Sequence, residues 1–114
     1  MTTKYHSKKA KCAAGHTHDS AKEARRCNEL RMQQEAGLIS DLQIQHKFEL
    51  IPAQKFKSMP NERRCSYVAD FTYYMDGVFV IEDTKGYKTT EYKIKRKLMK
   101  LKYCSDGRAV FIET

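Results

Sequence analysis

Residues 67–86 read YVADFTYYMDGVFVIEDTKG, and the reading of this stretch decides the fold. Two runs rich in Tyr, Phe, Val and Thr, Ser66–Met75 and Val78–Ile81, flank Asp76-Gly77. An Asp-Gly pair between such runs is the chemistry of a two-residue type I′ hairpin, because both central residues of that turn take positive φ. With that turn Met75 faces Val78, and the numbers of every cross-strand pair sum to 153. Asp70 then lies opposite Asp83, and Val68 opposite Lys85. Directly opposed side chains have Cβ atoms about 4.5–5.5 Å apart. Two carboxylates at that spacing repel by about 4 kcal/mol at an effective dielectric of 20. A divalent cation held by oxygen ligands is the simplest group to offset this repulsion. Side-chain alternation places Asp83 and Lys85 on the face that carries Asp70, and Glu82 on the other. A register slip of one residue would separate the acids.

Outward from the hairpin, the chain alternates helical and extended patterns. Gly15–His18 reads as a short extended segment. Asp19 and Ser20 start a helix that runs to about Ala36 and is closed by Gly37. Glu23, Cys27 and Leu30 share one face of it, at i, i+4 and i+7. An acid on an apolar stripe has two readings. Ser20-x-x-Glu23 is a capping-box pattern; alternatively, Glu23 lends a carboxylate to the site of Asp70 and Asp83. Leu38–Ile51 is a long strand in which Leu42, Ile44, His46, Phe48 and Leu50 alternate with polar residues. His46 on that apolar face reads as a core histidine rather than a base, and Gln45 on the other face lies within reach of a site. Pro52–Arg64 is a polar loop. A second helix, capped by Thr89 or Thr90, runs to about Tyr103 with Ile94, Leu98 and Leu101 as its buried stripe. Asp106-Gly107 turns the chain into a last strand, Ala109–Ile112.

The 114 residues make one domain with a modest core, residues 1–14 forming a basic, loose arm. Mean hydropathy is −0.74 and net charge +8. Eight Lys or Arg stand against one acid between Lys85 and Lys102, and four Lys against none between Met1 and His18. Such a balance favours a polyanionic partner. No apolar window is long enough to span a membrane and no signal peptide is evident, so a soluble, cytoplasmic protein is expected. Cys12, Cys27, Cys65 and Cys104 include no C-x-x-C pair and read as free, partly buried thiols. Cys12-x3-His16-x-His18-x8-Cys27 offers four zinc ligands, but the spacing is unlike common structural motifs, and no structural zinc is expected.

Asp70 on one strand followed by Asp83-Thr84-Lys85 on its antiparallel neighbour resembles the PD-(D/E)xK nuclease superfamily. The wider order resembles a family of small phage-encoded proteins grouped with that superfamily and with Holliday-junction-type endonuclease activity. That order runs Asp19-Ser-Ala-Lys-Glu-Ala-Arg-Arg, Leu-Ile-Ser-Asp-Leu, Phe-Glu-Leu-Ile-Pro, Ala-Asp-Phe, then Glu-Asp-Thr-Lys-Gly. The likeness covers about residues 15–103 and departs at Cys27, where an aromatic is usual, and at His46, where Pro is.

The resemblance implies an α/β fold, a restriction-endonuclease-like α-β-β-β-α-β core with a mixed sheet flanked by helices. It implies Mg²⁺, with Mn²⁺ as a substitute, on Asp70, Asp83, the carbonyl of Thr84 and Glu23. Lys85 would orient the attacking water or stabilise transition-state charge. Lys88, Lys93, Lys95, Arg96 and Lys97 would track phosphates. The expected protein is a metal-dependent endodeoxyribonuclease, acting as a homodimer on branched DNA in the cytoplasm of a bacterial host. Two alternatives stand beside it: the same chemistry on DNA ends or RNA, and a non-catalytic basic DNA-binding protein.

Overall fold

A computed structural model of the chain describes residues 10–13, 15, 17–18, 20–84 and 88–114. A short antiparallel hairpin, β1 (Ala10–Lys11) and β2 (Thr17–His18), precedes helix α1 (Ala21–Glu35). Three antiparallel strands follow: β3 (Ser40–Ile51), β4 (Cys65–Met75) and β5 (Val78–Asp83). The chain then crosses over through α2 (Thr90–Met99), which widens into π turns over Lys100–Cys104. It returns as β6 (Ala109–Glu113), parallel to β5. A parallel neighbour requires such a crossover, whereas the β4–β5 pair needs only its two-residue turn. The fold is therefore α/β, with a mixed sheet of order β3-β4-β5-β6 and two helices.

The local chemistry acts as its residue types demand. Met75 pairs with Val78 and Phe71 with Glu82, the register in which partners sum to 153, and Asp76 and Gly77 take φ of 53° and 79°. Ser20 caps α1 by accepting from the Glu23 amide at 3.2 Å, and Thr89 caps α2 by accepting from the Tyr92 amide at 3.0 Å. Gly37 leaves α1 with φ 80°. Glu23, Cys27 and Leu30 lie on the buried face of α1, as their spacing predicts, and Ala24 is buried with them.

Two cores lie on opposite faces of the sheet. Val80 packs with Cys27, Leu30, Ile39, Phe71 and Tyr73 beneath α1. Its neighbour Ile81 packs with Phe48, Leu50, Tyr67, Ala69, Tyr92 and Met99 beneath α2. Adjacent residues of a regular strand face opposite ways, so Val80 and Ile81 assign the two faces.

This corrects the even alternation expected of β3. Leu42 and Ile44 pack on the α1 side, but Phe48 and Leu50 pack on the α2 side. The strand turns over between them, at Gln45, whose φ is +59°. β4 turns over at the matching place, with Tyr67 and Ala69 on one face and Phe71 and Tyr73 on the other. Ile44 pairs with Phe71 and His46 with Ala69, so Gln45 stands across from Asp70. A period-two pattern cannot reveal such a crossing, because both faces are apolar.

The buried stripe of α2 is also not the expected one. Tyr92 and Met99 are buried, Leu98 is partly buried, and Ile94 and Leu101 are 55% and 70% exposed. Tyr92 fixes the helix phase: its hydroxyl donates to Glu113 Oε2 at 2.5 Å and its ring lies beside Tyr67. The π turns after Met99 then rotate Leu101 outward.

Candidate active site

The two acids of the hairpin come together at the end of the β4–β5 ladder. Regular backbone pairing stops at Phe71–Glu82, while β5 continues alongside β6 as far as Asp83–Glu113. Beyond that point the strands are joined through carboxylates. The Asp70 amide donates to Asp83 Oδ1 at 3.2 Å. The Thr84 amide and hydroxyl donate to Asp70 Oδ2 at 2.9 and 3.0 Å. Asp70 is 4% exposed and Asp83 is fully buried. Backbone donors thus offset part of the repulsion that opposed carboxylates would otherwise suffer.

From α1, Glu23 is tied to the β3 residue that stands across from Asp70. Its residue is 2% exposed, and its Oε2 accepts from Gln45 Nε2 at 3.1 Å. Gln45 is the positive-φ residue facing Asp70. A non-glycine residue in that region costs about 1–2 kcal/mol and persists where its surroundings over-determine it. The left-handed step in β3 therefore aims a side chain at Glu23 from the place where β4 presents Asp70. Ser20 caps the helix through the Glu23 amide, so the cap and the carboxylate–Gln45 bond are separate roles of one residue.

Sequence reasoning missed a buried charge network beside these acids. Glu82 is fully buried and accepts from Arg26 Nε at 2.5 Å, Arg26 Nη2 at 3.0 Å, Tyr73 hydroxyl at 2.6 Å and Thr114 hydroxyl at 3.2 Å. The hydrogen bond to Glu82 holds the Arg26 guanidinium charged, raising its pKa despite partial burial. Burial first, and then the bond to Glu82, raise that of the Tyr73 phenol. Register offered a signal, since an acid opposite Phe71 on a core face needs a cation, and Arg26 lies one turn after Glu23. On the other face, burial pushes Glu113 up, but hydrogen bonds from Tyr92 and Arg96 prevail and hold its carboxyl below the ordinary range.

Lys85 and Gly86 lie outside the described residues. Lys88, Lys93 and Lys97 are exposed. Lys95 pairs with Glu91 at 3.2 Å, and Arg96 with Glu113 at 3.1 Å beside the Tyr92 ring. Three of the five expected phosphate contacts thus face solvent, and two already hold acidic partners. His46 sits as a core histidine: its Nδ1 is 2.7 Å from Thr72 Oγ1, its ring stacks on Phe48, and burial lowers its pKa.

Asp70, Asp83 and Glu23 are hard oxygen donors, the chemistry Mg²⁺ selects over zinc. Among the described residues no three His, Cys, Asp or Glu side chains converge as a cage. Mg²⁺ does not require one, because it retains several waters and takes one or two carboxylates from protein. Asp70 and Asp83, joined through the Asp70 amide, are two such carboxylates on adjacent strands.

A family model described as "Protein of unknown function (DUF1064)" matches residues 2–112, and the chain belongs to that family. No curated protein and no solved structure matches it. No helix among the described residues is long and apolar enough to cross a membrane.

Proposed function

We propose that this DUF1064 protein is a metal-dependent endonuclease that hydrolyses DNA phosphodiester bonds, with branched DNA as its substrate class. One observation carries the reading: two buried carboxylates from adjacent strands, Asp70 and Asp83, meet where their ladder ends and where β3 turns over to bring in Gln45 and Glu23. A divalent ion bound there would lower the pKa of a water and neutralise charge on a phosphoryl oxygen. Asp70 and Asp83 would hold it, with the Thr84 carbonyl and Glu23 as further oxygen donors. The protein's own contributions are positional. Thr84 fixes the Asp70 carboxylate through two bonds, the Asp70 amide fixes Asp83, and Gln45 fixes Glu23. Lys85 would supply a cation for the attacking water, and Lys88, Lys93 and Lys97 would hold substrate phosphates without reading sequence.

A second reading has its own support. Asp70 Oδ2 accepts two bonds from Thr84 and the residue is nearly inaccessible, which is also the behaviour of an acid that only ties a strand end. Thermal unfolding with and without Mg²⁺ or Mn²⁺ separates the two. A bound ion stabilises the folded parent by RT ln(1+[L]/Kd), about 2.7 kcal/mol at a hundredfold excess over Kd. The nuclease reading expects that gain in the parent and in Lys85→Ala, and its loss in Asp70→Asn. A gain of parental size in Asp70→Asn would favour the tie.

A further inference from the structure

Residues 52–64 join β3 to β4, and hydrogen bonds hold this loop in shape. Gln54 and Glu62 exchange amide–carbonyl bonds at 2.9 Å each, and the Phe56 amide donates to Asn61 Oδ1 at 2.9 Å. The strand that leads into the loop is fastened to the end of the crossover helix. Lys102 Nζ donates to the Glu49 and Leu50 carbonyls at 3.0 and 3.5 Å, and the Tyr103 hydroxyl donates to the Glu49 carbonyl at 2.7 Å.

The loop presents cations to solvent. Lys55, Lys57, Arg63 and Arg64 are exposed, and none has an ion-pair partner among the described residues. Glu62 is the one acid in residues 52–64. Lys55, Arg63 and Arg64 share with Glu49 and Glu62 the lining of a hollow of about 500 Å³. Cations outnumber acids there, and the exposed Lys57 and Lys102 add to the excess.

Between this loop and the acids, one face of the sheet is open. Phe48, Leu50, Tyr67 and Ala69 are buried on the α2 side. Alternation therefore turns Lys47, Glu49 and Val68 the other way, and all three are exposed. The packing beneath α1 begins only past the turnover, with Ile44 and Phe71. An open strip thus leads from Arg64 towards Gln45 and Asp70. Asp70 lies six residues after Arg64, about 20 Å of strand at roughly 3.3 Å per residue. That is the length of about six base pairs of duplex. Protein interfaces centre on apolar side chains and are depleted of lysine. In residues 52–64 the large exposed hydrophobic is Met59. Long, exposed, unneutralised cations suit phosphate instead.

We propose that the β3–β4 loop is a second DNA-contacting surface, on which Lys55, Lys57, Arg63 and Arg64 hold duplex phosphates about six base pairs from the acids. This rests on the reading of DNA as the substrate and not on cleavage. The contacts read no sequence, and they add to those of Lys88, Lys93 and Lys97.

Fluorescence anisotropy of duplex DNA across a range of salt, in EDTA, compares the parent with a chain carrying Lys55→Gln, Lys57→Gln, Arg63→Gln and Arg64→Gln. The log–log slope should fall by about three to four, at about 0.9 per lost contact, with Tm unchanged. Hydroxyl-radical footprints at saturating protein should lose one patch of backbone protection and keep the rest. Should the fourfold change unfold the chain, the Lys55/Lys57 and Arg63/Arg64 pairs of substitutions decide, each expected to give about half the fall in slope. A parent that binds through the loop yet never incises would sink the nuclease reading and support this one. An unchanged slope, a footprint that fades uniformly, a parent that binds no duplex, or a loop-dependent affinity for double-stranded RNA alone would overturn the proposal.

Discussion

Replacing Arg26 with Met leaves the Glu82 carboxylate fully buried and without its cation. Two of its four hydrogen bonds disappear, those from Arg26 Nε and Nη2, and the hydroxyls of Tyr73 and Thr114 remain. Breaking one side of a buried pair costs about 3–5 kcal/mol, mostly because a charge is stranded away from water. For a domain of this size 1 kcal/mol moves Tm by about 4 °C, so a fall of roughly 12–20 °C is expected. Glu82→Gln should cost less, since the guanidinium left behind is 23% exposed and can turn to solvent. The double variant should be more stable than the sum of the single losses predicts, with a coupling of about 1.5 kcal/mol or more. Chemical denaturation of the four proteins measures it. Additive losses, or a Glu82→Gln protein less stable than Arg26→Met, would show that the network does not hold α1 on β5 as described.

Three further outcomes follow from particular residues. Gln45→Gly and Gln45→Ala both lose the bond to Glu23, but only Ala retains the left-handed strain, so the Gly variant should be more stable by about 1–2 kcal/mol; equal denaturation midpoints would deny that strain. His46 has a lowered folded pKa, so its contribution to stability is complete above its unfolded pKa of about 6.5 and is lost as pH falls through the folded value. His46→Gln should therefore flatten the decline of Tm below pH 6.5, and an unchanged slope would contradict the burial argument. Lys93→Ala and Lys97→Ala should each lower the log–log salt slope of DNA binding by about one, while Lys95→Ala and Arg96→Ala, whose side chains already hold Glu91 and Glu113, should lower it less; equal effects in fluorescence anisotropy would mean those ion pairs open on binding.

Much of the scaffold was legible in the chain. Asp76-Gly77 set the hairpin register because a type I′ turn admits few other pairs, and that register alone placed Asp70 beside Asp83. Ser20, Thr89 and Gly37 marked helix ends through local hydrogen bonding and φ, neither of which depends on distant residues. The turnover at Gln45 was not legible. Leu42 to Leu50 alternate evenly, and which sheet face a residue meets is decided by the helices that cover it. The phase of α2 was hidden for a similar reason, since Ile94 and Leu101 are as apolar as Met99, and the contacts of Tyr92 with Glu113 and Tyr67 are made across the fold. Glu82 was visible as an acid on a core face, but its cation lies 56 residues away in sequence.

The most direct test of the nuclease reading is cleavage of labelled four-way, flap, nicked and linear duplex DNA, each with Mg²⁺ and with EDTA, by the parent and by Asp70→Asn. The expected result is incision of branched substrate by the parent in Mg²⁺ alone, with none by Asp70→Asn although it still binds the DNA. Incision that survives EDTA or Asp70→Asn, or a parent that binds every substrate and cuts none, would contradict the assignment of Asp70 and Asp83 to a catalytic metal.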